Sequence, residues 1–326
     1  MDLGIAGRRA VVCASSQGLG RACAEALAAE GVNVVVNGRD RGRLEQTSAE
    51  LRSVCGVEVV GVAADITTAA GRTELLGACP APDILVTNNA GPKPGGLFDV
   101  TDDELSQALV GHYLAPLALV RAVVPGMRQR RFGRIVNITS AMVTTPNSFM
   151  AASSGARTAL TAVMKGLSKE VVGDNVTINQ LQPERIDTGR QLQMAKLDME
   201  RNQITFEEAR ARQVASIPAQ RLGQPEEFAA ACAFLCSRLR QLYLRNQFAP
   251  RRRQLPGPHL THPLAGNACE NGYAPSCEGD HAGSGHESIV DHADHATASA
   301  TANPLFVRAS AYYGTCRRAS ASASMS

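Results

Sequence analysis

Short runs of β-branched and other apolar residues alternate, over the first 238 residues, with segments of helical period. Residues 9–14, Arg-Ala-Val-Val-Cys-Ala, read as a buried strand, and a glycine-containing turn leads from it into a helix over residues 21–30. Gly31 ends that helix, because the residue just past a helix C-terminus commonly takes positive φ. Residues 32–37 form a second strand and residues 41–54 a second helix. Runs at 57–63, 83–87, 134–139 and 175–181 supply four more strands, with helical segments between them. Strands apolar on both faces and separated by helices predict a doubly wound α/β domain, a parallel sheet between two helical layers. Ligands in such sheets bind outside the carboxyl ends of the strands, where the strand order reverses.

The rhythm stops near residue 239. Beyond it, apolar residues are isolated among Pro, Gly, His and Arg clusters, including Arg251-Arg-Arg253. Such a segment buries too little surface to offset the entropy of ordering it. Residues 1–239 are therefore expected to form the domain, and 240–326 a disordered, low-complexity tail. Composition changes at the same place: six of seven histidines follow residue 258, and four of five tyrosines follow residue 240. The tail histidines, such as His281, His286, His292 and His295, read as scatter in a biased segment, so no metal site is expected.

Charge narrows the function classes. With 33 basic and 30 acidic residues, the formal charge is +3, and no basic face marks a nucleic-acid binder. No stretch approaches eighteen consecutive apolar residues, so no membrane span is expected. Nine scattered cysteines, and an N-terminus without the basic-then-apolar order of a secretory signal, point to a reduced, cytoplasmic protein.

Between the first strand and first helix stands Cys13-Ala-Ser-Ser-Gln-Gly-Leu-Gly20. Glycines there let backbone approach a pyrophosphate, and the helix N-terminus offers free N–H groups to it; the plain alternative is an ordinary strand–helix turn. This loop, Asp65-Ile-Thr67, Asn88-Asn-Ala-Gly91, Gly133-Arg-Ile-Val-Asn-Ile-Thr-Ser140 and Gly223-Gln-Pro-Glu-Glu-Phe228 follow one another in order. Together they resemble the short-chain dehydrogenase/reductase family over residues 5–238, with Cys13 and Ala14 in place of that family's Thr-Gly. The resemblance implies a Rossmann-type fold and a dinucleotide held by Ser15, Ser16, Gln17, Gly18, Leu19, Gly20, Asp65, Ile66, Asn89, Ala90, Gly91, Arg157, Pro183 and Thr188. The second strand ends Asn37-Gly38-Arg39 without an acid to take a ribose 2′-hydroxyl. Arg39 suits a 2′-phosphate instead, so NADP is expected over NAD.

The catalytic positions depart from the family. Similar enzymes use an Asn, a Ser and a Tyr-x-x-x-Lys pair. Ser140 matches the serine, but the tyrosine position is Ser153, the lysine position Arg157, and the asparagine position His112. Tyr113 is the only tyrosine upstream of residue 240, and beside His112 on a helix it should face the core. A serine hydroxyl is too weak an acid to replace a phenol of pKa about 10, and arginine cannot act as acid or base. Proton transfer then falls to His112 or an ordered water. The resemblance implies hydride transfer between NADP and a small carbonyl or alcohol, similar to 3-oxoacyl-carrier-protein reduction. The competing expectation is a non-catalytic NADP-binding protein of the same fold.

Similar proteins continue past Phe-Leu-x-Ser with Ala-Ser-Tyr-Ile-Thr-Gly-Gln-x-Leu-x-Val-Asp-Gly-Gly, their last strand. Here Phe234-Leu-Cys-Ser237 leads instead into an arginine-rich segment. With freely chosen codons, reading one nucleotide later spells a segment close to that strand, which suggests a frameshift near residue 239. The last strand is then missing or replaced, and the resemblance implies a homodimer with an impaired tetramer interface.

Overall fold

The computed structural model describes residues 1–240 and 247–248, all within a unit spanning Met1–His259. Seven strands are described: β1 (Arg9–Val12), β2 (Asn33–Gly38), β3 (Val59–Ala63), β4 (Ile84–Thr87), β5 (Gly133–Ile138), β6 (Val176–Leu181) and β7 (Gln247–Phe248). They form one parallel sheet in the order β3-β2-β1-β4-β5-β6-β7. The order reverses between β1 and β4, where Val11 stands opposite both Val35 and Leu85.

Nine helices are described: α1 (Gly18–Ala29), α2 (Arg41–Cys55), α3 (Ala69–Gly77), α4 (Asp102–Leu109), α5 (Ala115–Gln129), α6 (Ala151–Val171), α7 (Gly189–Asn202), α8 (Phe206–Ala215) and α9 (Pro225–Cys236). Period-2 alternation divides β1 to β6 between the two cores. Val12, Val34, Val86 and Val136 pack under Leu27 of α1, Leu44 of α2 and Phe228 of α9. On the other face, Val11, Val35, Leu85 and Ile135 pack under Leu75 of α3, Leu119 of α5 and Leu160 of α6. Each such side chain, taken out of water, contributes about 1.5–3 kcal/mol, which is why the apolar runs alone located the strands.

A π-helical turn, Val110–Leu114, joins α4 to α5. The continuous run Asp102–Gln129 is long and apolar enough to cross a membrane. Its Leu119, Val120 and Met127 lie in the core, which accounts for that composition. A capping box, Thr101 with Glu104, starts the run, and a second, Thr205 with Glu208, starts α8. At the sheet's amino end, fully buried Arg134 donates to the carbonyls of Ser237, Gly133 and Asn175, tying the end of α9 to β5 and the turn before β6.

Where a missing or replaced last strand is expected, the described residues beside β6 are Gln247 and Phe248 alone. Gln247 and Phe248 pair with Gln180 and Leu181, so the ladder beside β6 is two residues long. The tail expected over 240–326 and its out-of-frame origin otherwise lie outside the described residues.

Candidate active site

The crevice at the carboxyl ends of β1 and β4 is built by a loop folded tightly on itself. Gly18 has φ +59°. At Gly20 a Cβ would lie 2.2 Å from the Ala14 carbonyl oxygen, so only glycine permits that approach. Ala14 takes φ +46°, the left-handed region, at a position where the family carries glycine. Its carbonyl accepts a hydrogen bond from Asn88 Nδ2 at 3.3 Å, joining the loop to the end of β4. The N-cap of α1, Gln17, makes no side-chain capping bond. The first N–H groups of α1 thus face the crevice without a cap, a seat for an anion. Across it, the Thr188 Cβ stands 4.0 Å from where a Cβ on Gly18 would be. Thr188 does not cap α7 with its own hydroxyl.

Asn37 holds this end together. Its amide donates to the carbonyls of Val62 and Ala64 at 3.1 and 2.9 Å, and its Oδ1 accepts from the Ala14 N–H at 3.2 Å. One buried side chain thereby joins the ends of β1, β2 and β3. Sequence reasoning read Asn37 only as the lack of an acid. Arg39, the next residue but one, is exposed at the mouth. Asp65 is partly buried, which works against its ionisation. Bonds from the Thr67 hydroxyl and N–H, with the nearby Arg39 charge, outweigh this and hold its carboxyl below the usual range.

Several residues expected at the cofactor do other work with their side chains. The Ser15 hydroxyl is fully buried, donating to the Val12 carbonyl at 2.7 Å and accepting from the Asn37 N–H at 2.8 Å. Ile66 lies in the core and Leu19 packs against the other core, so these three can offer a ligand backbone alone. Gln17 Oε1 accepts from Arg43 at 2.7 Å, while the Ser16 carbonyl accepts from Thr47 at 3.1 Å.

The reaction end lies two strands further on. Asn89 donates to the Gly111 carbonyl at 3.2 Å and accepts from the Ala90 N–H at 2.9 Å. His112 Nε2 lies 3.0 Å from the Ala90 carbonyl. A carbonyl only accepts, so Nε2 carries the proton. Both bonds fasten the Asn88–Gly91 loop to the π-helical turn, the geometry that aims His112 inward; Tyr113 packs against the core as expected. Burial first, then the charges of Arg157 and Arg190, push the His112 pKa down to about 3. The imidazole is therefore neutral at physiological pH, with its Nε2–H committed to the Ala90 carbonyl.

Ser140 ends β5 in extended conformation, half-buried, with its oxygen accepting from the Met142 N–H at 3.2 Å. Its hydroxyl proton remains available. The following Ala141 N–H donates to the Pro183 carbonyl at 3.0 Å, fixing Ser140 against the loop after β6. Gly223 pins the same loop through paired bonds with Arg185 and Asp187 at 2.8 Å. On α6, Ser153 and Arg157 are both buried and hydrogen-bonded to each other. Arg157 Nε has no partner among the described residues. Burial, with Arg190 nearby, lowers the Arg157 pKa to about 10, leaving it charged at neutral pH. Arg190, which sequence reasoning did not single out, lies over Gly91 and donates to the Pro92 carbonyl at 2.9 Å.

The chain matches a family model described as enoyl-(acyl carrier protein) reductase over residues 13–243. It belongs to the short-chain dehydrogenase/reductase family. Among curated relatives of this family, an uncharacterised oxidoreductase, YvaG of Bacillus subtilis, is 34% identical over 246 residues, covering 73% of this chain and 92% of that protein. The 3-oxoacyl-[acyl-carrier-protein] reductase FabG of Vibrio harveyi is 30% identical over 240 residues, covering 72% and 92%. The crystal structure of L-sorbose reductase from Gluconobacter frateurii, complexed with NADPH and L-sorbose, superposes with TM-score 0.72 at 30% identity, covering 76% of this chain and 96% of that one. All three are similar to this chain over about three-quarters of its length.

Proposed function

We propose that this short-chain reductase binds NADP(H) and transfers hydride between it and a small carbonyl or alcohol, without a phenolic acid. The observation that carries the reading is the uncapped N-terminus of α1, facing Thr188, with exposed Arg39 following β2 and Ser140 following β5 at the same end of the sheet. These donors fit a dinucleotide: N–H groups for the pyrophosphate, Arg39 for the 2′-phosphate, and Asn89 to Gly91 with Thr188 and Pro183 lining the nicotinamide half. The bound cofactor supplies or accepts the hydride. Ser140 donates a hydrogen bond to the substrate oxygen. Arg157 contributes fixed positive charge where negative charge develops on that oxygen, an effect strengthened by exclusion of water. Ser153 holds Arg157 in place, and the proton comes from a water rather than from His112.

The substituted positions favour a second reading, a NADP(H)-binding protein without turnover, because losing a positioned general acid costs about 10²–10⁴-fold. The low NADPH consumption expected over a carbonyl panel should fall at least tenfold further in Ser140→Ala. Arg39→Ala should weaken NADPH about 10–100-fold while sparing NADH, as expected for loss of a charge-assisted pair. NADPH binding with no consumption on any carbonyl would select the second reading; equal effects on NADPH and NADH would remove Arg39 from the 2′-phosphate. A homodimer through α5 and α6 is supported by Leu114, 51% exposed just before α5, and Val163, 43% exposed on α6. Cytoplasmic residence is supported by the free thiols among the described residues, Cys13, Cys23, Cys55, Cys79, Cys232 and Cys236.

A further inference from the structure

Two guanidinium groups lie near His112 at the reaction end, and among the described residues neither pairs with a carboxylate. Arg157 is buried on α6, with one nitrogen bonded to Ser153 and Nε left without a partner. Arg190 stands in the first turn of α7, with its guanidinium 3.3–3.5 Å from where a Cβ on Gly91 would lie. It donates to the Pro92 carbonyl and to Gln193 Oε1, both at 2.9 Å, which uses two of its five N–H donors. The charges of both arginines reach His112, and that of Arg190 reaches Arg157, so the three groups share one neighbourhood. The acids of the adjoining loop are turned elsewhere: Asp187 is held by Arg210 at 2.9 and 3.0 Å, and Glu184 lies 3.8 Å from Arg185. Burying like charges side by side is unfavourable unless an anion joins them.

Position separates this seat from the cofactor's phosphates. The glycine loop follows β1, whereas Ser140 and the start of α6 follow β5, two places along the sheet. At about 4.8 Å per strand that is roughly 10 Å. Arg157 stands on the Ser140 side of that distance, and Arg190 lies over Gly91 at the end of β4, between Ser140 and the glycine loop.

We infer that the substrate is a small oxo acid or hydroxy acid, whose carboxylate is held by Arg190 and Arg157 while Ser140 binds its carbonyl or hydroxyl oxygen. The inference rests on the reductase reading for its reaction, but not for its binding. Arg190 is then the specificity-determining residue: a planar guanidinium pairs with a carboxylate through two parallel bonds, and loses both when the acid is esterified.

The test compares acids with their neutral esters. Acetoacetate and 2-oxobutyrate, and separately their methyl esters, are titrated into the NADP⁺-loaded full chain by calorimetry, which reads binding whether or not turnover occurs. The acids are expected to bind about 10–100-fold more tightly than the esters. In Arg190→Gln the acid-to-ester ratio should fall toward one, and Arg190→Lys should restore part of it. Two results would overturn the proposal: acids that bind no better than esters, or an Arg190→Gln loss that appears equally in NADPH affinity, which would place the anion on the cofactor. An acetoacetyl thioester without a free carboxylate that outcompetes both acids would also overturn it, in favour of a carrier-bound substrate. Acid-selective binding with no NADPH consumption would keep this inference and fail the reductase reading alone.

Discussion

Replacing Ala14 by glycine tests whether the cofactor loop is strained by its own sequence. The structure holds Ala14 at φ +46° at the end of the first strand. For a residue with a Cβ, the left-handed region costs about 1–2 kcal/mol. Glycine removes that cost but adds about 0.5–1 kcal/mol of chain entropy to the unfolded state. The net expected gain is roughly 0.5–1 kcal/mol. A domain of this size shifts by about 2–4 °C per kcal/mol, so Ala14→Gly should raise Tm by about 1–4 °C in differential scanning fluorimetry. The companion change is Gly20→Ala, whose new Cβ would lie 2.2 Å from the Ala14 carbonyl oxygen and 2.9 Å from its carbon. These are backbone atoms, so the loop itself must move, at a cost of about 1–3 kcal/mol. That variant should lose both Tm and NADPH affinity, the latter because the α1 terminus is displaced. A Tm in Ala14→Gly unchanged or lowered would refute the strain argument. A Gly20→Ala protein with normal affinity would refute the claim that close backbone approach shapes the phosphate seat.

Asn37→Ala should destabilise the domain by about 2 kcal/mol in urea, since it takes a partner from the Ala14 N–H and the Ala64 carbonyl at about 1–3 kcal/mol each, with some relief by relaxation, while the Val62 carbonyl keeps the Ala64 N–H; a loss under 1 kcal/mol would show that these strand ends hold without it. His112 gives a pH signature. The unfolded chain takes up the imidazole proton near the ordinary 6.5, but the native protein only near 3. Between these values the unfolded form alone is protonated, so native stability falls as pH falls through 6.5 and the loss levels off near 3. Relative to His112→Asn, the parent should lose about 1.4 kcal/mol per pH unit across that window; parallel curves for the two proteins would show that His112 is solvated and titrates normally.

The sequence by itself determined the frame. Apolar period and glycine placement located β1 to β6 within a few residues, because burial of alternate Val, Ile and Leu is dictated locally. Its motifs fall at the carboxyl ends of the strands, where a doubly wound sheet binds its ligands. Tertiary structure decided what each side chain does there. Ser15 and Ile66 stand in a cofactor motif, yet one hydroxyl is spent joining β1 to β2 and one side chain fills the core. Asn37 joins three strand ends that are far apart in the chain. His112 is neutral because packing buries it and, after that, because Arg157 and Arg190, distant in sequence, come close enough to repel its proton. Local pattern records which residues are buried. Hydrogen-bond partners and charge neighbours exist only once separate strands and helices are brought together, and the chemistry of this crevice is made of those.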